Sequence, residues 1–226
     1  MKKILFLGIL ALLNFYPTNI QAAQLDDLNS ITQKLINEDG DSINVIFNEG
    51  TIDKISNDEI LDIISDCEEG DTITIYNVSD SSESEQEDND NSKIIGVTTY
   101  KTEKTYTSKE VLEKEHLIIS VAKGQTTTLS SSKTITSELS VSGSYYDYGK
   151  LDLTKSKSYT VSKSDTFTGP AESSVYNTRL YYAREYVNKG SYKQYQCFNN
   201  FCSDVAKTGT FKEPAKIISY SRDSKY

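Results

Sequence analysis

The 226-residue sequence holds one histidine, one methionine and no tryptophan. A single imidazole leaves little for His-based catalysis and nothing for a His-rich metal site. No HExxH, phosphate-binding glycine loop, GxSxG or CxxC pattern occurs. Asp39-Gly40-Asp41 and Asp88-Asn89-Asp90 begin like calcium loops, but neither continues with Gly at position six and Glu at twelve. No catalytic, metal or cofactor-binding residue is therefore expected, and the chain does not read as an enzyme. Three prolines and 11 glycines exclude collagen-like and linker-type chains. Long apolar runs are also missing. The leading one, residues 4–13, is too short to span a bilayer as a helix. It follows Lys2-Lys3 and precedes Gln21-Ala22-Ala23, so residues 1–22 read as a signal peptide, cleaved after Ala22 or one residue later. The expected location is secreted, extracellular.

What is present is an uneven charge. The net formal charge is −9. Residues 23–92 carry 20 acids against two lysines, while residues 93–226 carry 13 acids against 20 basic residues. Such asymmetry implies parts with different roles. The seam, residues 79–92, has six acids and no apolar side chain, so it reads as a disordered acidic linker. Expected domains are a small acidic α+β unit at 23–78 and a basic, Tyr-rich β domain at 93–226.

In the acidic unit, Leu25, Leu28, Ile31, Leu35 and Ile36 recur at helical spacing. Residues 42–47 read as a strand. Ser56 or Asn57 caps a helix through Ile60, Leu61, Ile63 and Ile64, with Gly70 near its stop. Residues 71–78 alternate, with Ile73 and Ile75 facing inward. The acids either keep a small domain soluble or let it dock as a pro-segment on the basic half.

In the basic half, residues 94–107 read as strand, 109–116 as a short helix holding His116, and 117–122 as strand. Next comes the most regular stretch of the chain. On two arms, 129–143 and 151–167, all 15 even positions are Ser, Thr, Asp or Glu, leaving out the turn. The odd positions carry Leu129, Ile135, Leu139, Val141, Leu151, Leu153, Tyr159, Val161 and Phe167. Period-two alternation of this quality predicts strands, and residues 143–150 supply the reversal of a long antiparallel hairpin. The fold class expected is an α+β N-terminal segment followed by a mainly antiparallel β domain with a long Ser/Thr-rich hairpin.

This hairpin resembles the Ser/Thr-rich amphipathic hairpin of aerolysin-like β-pore-forming toxins. The resemblance covers 129–167 and implies a segment folded in the soluble form that becomes a barrel wall. Lys133, Lys155, Lys157 and Lys163 interrupt the apolar face, and a Lys at the bilayer midplane costs about 2–4 kcal/mol. The other reading of the same face is packing against a sheet, with the Ser/Thr face in water.

Of 16 tyrosines, 14 follow residue 93. Tyr181, Tyr182, Arg184 and Tyr186 lie in a stretch whose aromatic enrichment favours strand. They are candidate surface contacts, because Tyr beside Arg suits sugars and anionic surfaces; half-buried strands select Tyr equally well. Cys197 and Cys202 flank an Asn-Asn turn and are expected to form a disulfide across a hairpin. Cys67 is left over among acids that would disfavour its thiolate. Two functions remain. One is a secreted, non-catalytic protein binding a cell-surface or wall polymer, or a host surface, through the Tyr-rich domain. The other is a membrane-active pore-former with an acidic pro-segment. The basic half lacks any nucleic-acid-binding motif, so nucleic acid is not an expected partner.

Overall fold

A computed structural model of the chain describes residues 30–79, 98–199 and 201–225. The expected signal peptide, residues 25–29 of the expected first helix and all of the expected acidic linker beyond Ser79 lie outside these residues.

The chain begins with strands β1 (Ile31–Ile36) and β2 (Ser42–Phe47), helix α1 (Asn57–Ile64) and β3 (Thr72–Ser79). It continues through β4 (Thr98–Ala122), then β5 (Thr126–Thr128), β6 (Lys133–Glu138), β7 (Ser140–Gly143), β8 (Ser156–Val161) and β9 (Thr166–Thr168). It ends with β10 (Thr178–Phe198), β11 (Phe201–Cys202) and β12 (Lys207–Ser224). The protein is therefore mostly β, with one α-helix among the described residues and mainly antiparallel pairing.

Two expected helices are strands. Residues 31–36 form β1 because β2 offers a full antiparallel partner, from Ile31↔Phe47 to Ile36↔Ser42. Ile31 and Ile36 stay exposed, and Leu35 reaches the core. Residues 109–116 belong to the 25-residue β4, whose ladder on β10 runs from Thr98↔Phe198 to Ala122↔Thr178. Helix-favouring Lys and Glu lose there to a long-range ladder, as tertiary pairing overrides local propensity. The strand bends at Glu110, which has φ +52° and whose N–H donates to the Asn188 side chain at 2.9 Å. Helix α1 is capped as its sequence predicts. Ser56 Oγ accepts from the Glu59 N–H at 3.3 Å, and the Glu59 carboxylate accepts from the Ser56 N–H at 2.8 Å.

The expected division into two separately folded parts gives way to one sheet. β3 pairs with β12 between Ile73↔Arg222 and Ser79↔Ile217, giving the order β1-β2-β3-β12-β10-β4. Among the described residues only β2 and β3 run parallel, with α1 between them in the chain. The two faces of this sheet carry different covers, because successive residues of a strand point to opposite sides. On one face Tyr186, Ile218 and Tyr220 join Ile60, Ile63 and Ile64 of α1 and the isoleucines of β2 and β3 in a single core. On the other face Ala183 and Ile217 pack against Ile135 of β6. The acidic segment thus supplies strands and a helix to a shared core.

Candidate functional site: a hairpin folded back on its own sheet

The two arms of the hairpin pair in one register. Thr126↔Thr168, Thr128↔Thr166, Lys133↔Val161 and Glu138↔Ser156 all belong to the same antiparallel alignment, and the Leu139 N–H donates to Lys155 O at 2.7 Å. Beyond that bond β7 leaves its partner arm and pairs instead with β12, Ser140↔Lys212 to Gly143↔Gly209. The expected hairpin is present, with its last third spread onto the sheet.

The alternation sets what faces where. Ile135, Leu151, Leu153, Val161 and Phe167 are buried. Leu129, Leu139, Val141 and Tyr159 are half-buried against the same cores. The even-numbered Ser and Thr face water, apart from the half-buried Thr154 and Ser162. Lys133 and Lys157 reach sideways from the apolar face: the Lys133 ammonium donates to Leu117 O at 2.6 Å, and that of Lys157 to Ala215 O. Lys155 and Lys163 are exposed.

The hairpin springs from the end of the β4–β10 ladder. That ladder stops at Ala122↔Thr178, and the hairpin ladder restarts at Thr126↔Thr168. The connections hold two glycines for physical reasons. Gly124 has φ +69°, where a side chain is strained. Gly169 sits against the backbone at Ala122, where any Cβ would overlap the carbonyl oxygen. The ribbon thus doubles back over the sheet that launches it.

Polar side chains of the sheet hold the folded-back hairpin along its length. At its base, the Tyr181 hydroxyl donates to Thr168 O at 2.8 Å, and its ring packs edge-on to Phe167 with centroids 4.9 Å apart. Midway, Glu213 is 3% exposed and accepts from the Thr154 N–H and the Tyr106 hydroxyl, both at 2.8 Å. At the tip, Gln194 is wholly buried. Its Oε1 accepts from the N–H groups of Tyr146 and Asp147, and its Nε2 donates to the carbonyls of Asp147 and Lys150. Neither Gln194 nor Glu213 stands out in the sequence. A polar side chain within an otherwise half-buried strand is their one signal, and it needs the structure to be seen.

Of the four candidate surface contacts, Arg184 and Tyr186 are buried, and Tyr181 and Tyr182 are half-buried. Tyr186 is 1% exposed and Arg184 6%. Arg184 pairs with Glu115 at 2.5 Å and with Asp62 of α1 at 2.9 Å. Tyr182 stacks on Tyr220, and Tyr181 lies between Phe167 and Tyr76. They sit on β10, between β12 and β4, with the α1 core against one face and the hairpin against the other. Burial raises the Tyr76 hydroxyl pKa to about 12 and lifts those of Tyr182 and Tyr186 as well.

Two further ionic contacts tie α1 and β4 to the sheet. Lys216, buried on β12, meets Glu59 of α1 and Glu110 of β4, each at 3.0 Å. His116 contacts Glu185 across the β4–β10 ladder. Burial of Glu115 works against its ionisation, but hydrogen bonds from Tyr220 and Arg184 outweigh it and hold the carboxyl below the usual range. Cys197 and Cys202 form the expected disulfide, facing each other across the β10–β11 turn. Cys67 is buried, and burial pushes its thiol up to about 11.

Comparison of the chain with protein-family models, curated proteins and solved structures finds no match. Function must therefore be argued from the geometry of the hairpin and the sheet beneath it. Among the described residues no helix is long and apolar enough to cross a membrane, which says nothing of strands.

Proposed function

We propose that this is a secreted membrane-active protein whose hairpin, residues 126–168, swings out of the sheet and enters a bilayer as a β-ribbon. The observation that carries the reading is the doubled-back ribbon. The β4–β10 ladder and the hairpin ladder, itself interrupted at 129–132 opposite 162–165, lie on the same two chain segments, parted by residues 123–125 on one and 169–177 on the other. Straightening that break would turn one folded ribbon into a single long one. It would also uncover Leu139, Val141, Leu151 and Leu153, which now pack on Tyr192 and Phe211. The amphipathic pattern suits both states, since the face that fits the sheet also fits lipid.

The lysines limit how deep the ribbon goes. In the hairpin register Lys155 lies level with Leu139, and Lys157 pairs with Ser137. Between Leu139 and the turn the apolar face is free of lysine. Residues 139–142, ahead of the reversal, span about 13 Å in a strand, about half the ~25 Å apolar band of membrane barrels, so the lysine-free part reaches about one leaflet deep. Lys155 and Lys157 would then reach headgroups by extending along the surface.

The acidic segment has a different part in this reading from a pro-segment that comes away whole. It contributes β3 and α1 to the shared core, so its loss would strip Ile218 and Tyr220 of their cover. Its role is to brace the sheet that carries the hairpin. Binding of a surface ligand through Tyr181, Tyr182, Arg184 and Tyr186 has no support in their burial.

The test is release of calcein from neutral and anionic vesicles by the full chain, before and after limited proteolysis within 80–97. Release in either form supports the reading. Intact vesicles in both, with a folded protein by circular dichroism, would overturn it.

A further inference from the structure

Two turns meet at the end of the sheet farthest from α1. One joins β10 to β11 and is closed by the Cys197–Cys202 disulfide. The other is the tip of the hairpin. The hairpin tip touches the connection that follows β11: the Tyr146 hydroxyl donates to Val205 O at 3.1 Å, and Lys207 at the start of β12 lies over the Tyr146 ring at 5.4 Å.

This end displays apolar side chains that no core uses. Phe198 and Phe201 face each other across the disulfide-closed turn and are 54% and 83% exposed. Val205 is 68% exposed. Tyr145 and Tyr148 of the hairpin tip, 46% and 39% exposed, pack edge to face with centroids 5.5 Å apart. Single exposed apolar residues are ordinary on a protein surface; a contiguous group of aromatics is a mark of an interaction site.

The shape selects the partner. The group sits on two projecting turns rather than in a groove. A rigid partner would need a matching cavity to bury it, and two copies of such a tip meet point to point. A bilayer interface yields to a projecting tip. It also favours this composition: rings at the headgroup level, apolar side chains below them, and basic residues beside them. Lys207 lies over the Tyr146 ring and Lys193 stands opposite Glu103, while Asp147 and Asp204 are the acids of the hairpin tip and of the β11–β12 connection. The disulfide keeps the turn from spreading, so little ordering entropy opposes insertion.

We infer that this aromatic end is a lipid-docking tip, in which Phe198, Phe201 and Val205 enter the headgroup–acyl boundary while Tyr145 and Tyr148 lie at headgroup level. It goes beyond the proposed function, because docking requires no movement of the hairpin.

Flotation of the full chain with vesicles tests it, using phosphatidylcholine alone and phosphatidylcholine mixed with phosphatidylserine. The wild type floats with the vesicles, more strongly with the anionic mixture. Phe201→Ser weakens partition at least about tenfold, Phe198→Ser with Phe201→Ser weakens it further, and Phe201→Trp retains it. Both phenylalanines are exposed, so the variants keep the wild-type near-ultraviolet circular dichroism. Equal flotation of wild type and double variant, or no flotation of the wild type on either vesicle, overturns the inference. So does a wild-type dimer in sedimentation equilibrium that the double variant abolishes, because the tip would then serve a second copy. Flotation without calcein release supports the docking tip and counts against the swinging hairpin, so the two proposals fail separately.

Discussion

Gln194 and Asp147 hold each other by both ends of an amide: Gln194 Oε1 accepts from the Asp147 N–H at 3.0 Å, and its Nε2 donates to Asp147 O at 2.7 Å. One wholly buried side chain on β10 thereby fixes the turn of the hairpin, 47 residues away in sequence. Replacing Gln194 with Ala removes this contact and the bonds to Tyr146 and Lys150. A buried donor or acceptor left unmet costs about 1–3 kcal/mol. Gln194→Ala is therefore expected to lower the urea midpoint and to speed amide exchange at 145–150 more than at β3. Unchanged exchange at the tip would show that Gln194 does not hold it.

Lys216 and Glu59 are 5% and 3% exposed at the side chain. Removing one charge strands the other, which costs about 3–5 kcal/mol for a buried pair. Lys216→Met alone is expected to destabilise by that order. Adding Glu59→Leu should recover part of the loss, because it removes the stranded carboxylate but also the bond Glu59 makes to the Ser56 N–H. A denaturation cycle over the two single variants and the double variant measures the coupling.

Acid should loosen the α1 face. Glu115 has its carboxyl held below the ordinary value of 4.5 by Tyr220 and Arg184, after burial is outweighed. A folded-state pKa below the unfolded one gives stability that is complete above the unfolded pKa and is lost as pH falls through the folded value. Stability followed by urea titration should hold down to about pH 5 and decline below about pH 4. Glu115→Gln should flatten that decline.

Cys67 should stay silent toward a thiol reagent in the folded protein at pH 8 and react once in denaturant. Its thiol is buried, and its folded pKa of about 11 exceeds the ordinary 9.0 because burial disfavours the thiolate. The same shift gives stability that is present below pH 9 and lost as pH rises toward 11. Rapid labelling of the native protein would contradict this placement.

The parts legible in the sequence are those governed by local pattern. Period-two alternation locates the hairpin arms, a capping Ser56 or Asn57 ahead of the Ile60–Ile64 periodicity locates α1, and the spacing of Cys197 and Cys202 locates the disulfide. The parts missed are governed by distant partners. Lys109 to His116 carries helix-favouring residues, yet the ladder offered by β10 makes it strand. Charge asymmetry implied separate domains, but β3 needs the edge of β12 and Arg184 needs Asp62. Tyr186 and Arg184 looked like surface contacts because composition does not reveal that this part of β10 lies between the α1 core and the hairpin. Gln194 was invisible for the same reason: its importance lies in where the hairpin tip comes to rest.

The most direct test of the swinging hairpin is to tie it down. Ser142 of β7 faces Thr210 of β12 in the ladder that holds the hairpin tip to the sheet. A Ser142→Cys, Thr210→Cys variant cross-links the two across neighbouring strands. Calcein release is measured for the oxidised and reduced forms, with wild type under the same reductant to account for the Cys197–Cys202 bond. Release by the reduced variant and none by the oxidised one is the predicted result. Equal release by both forms would contradict it and leave the hairpin as a fixed layer of the fold.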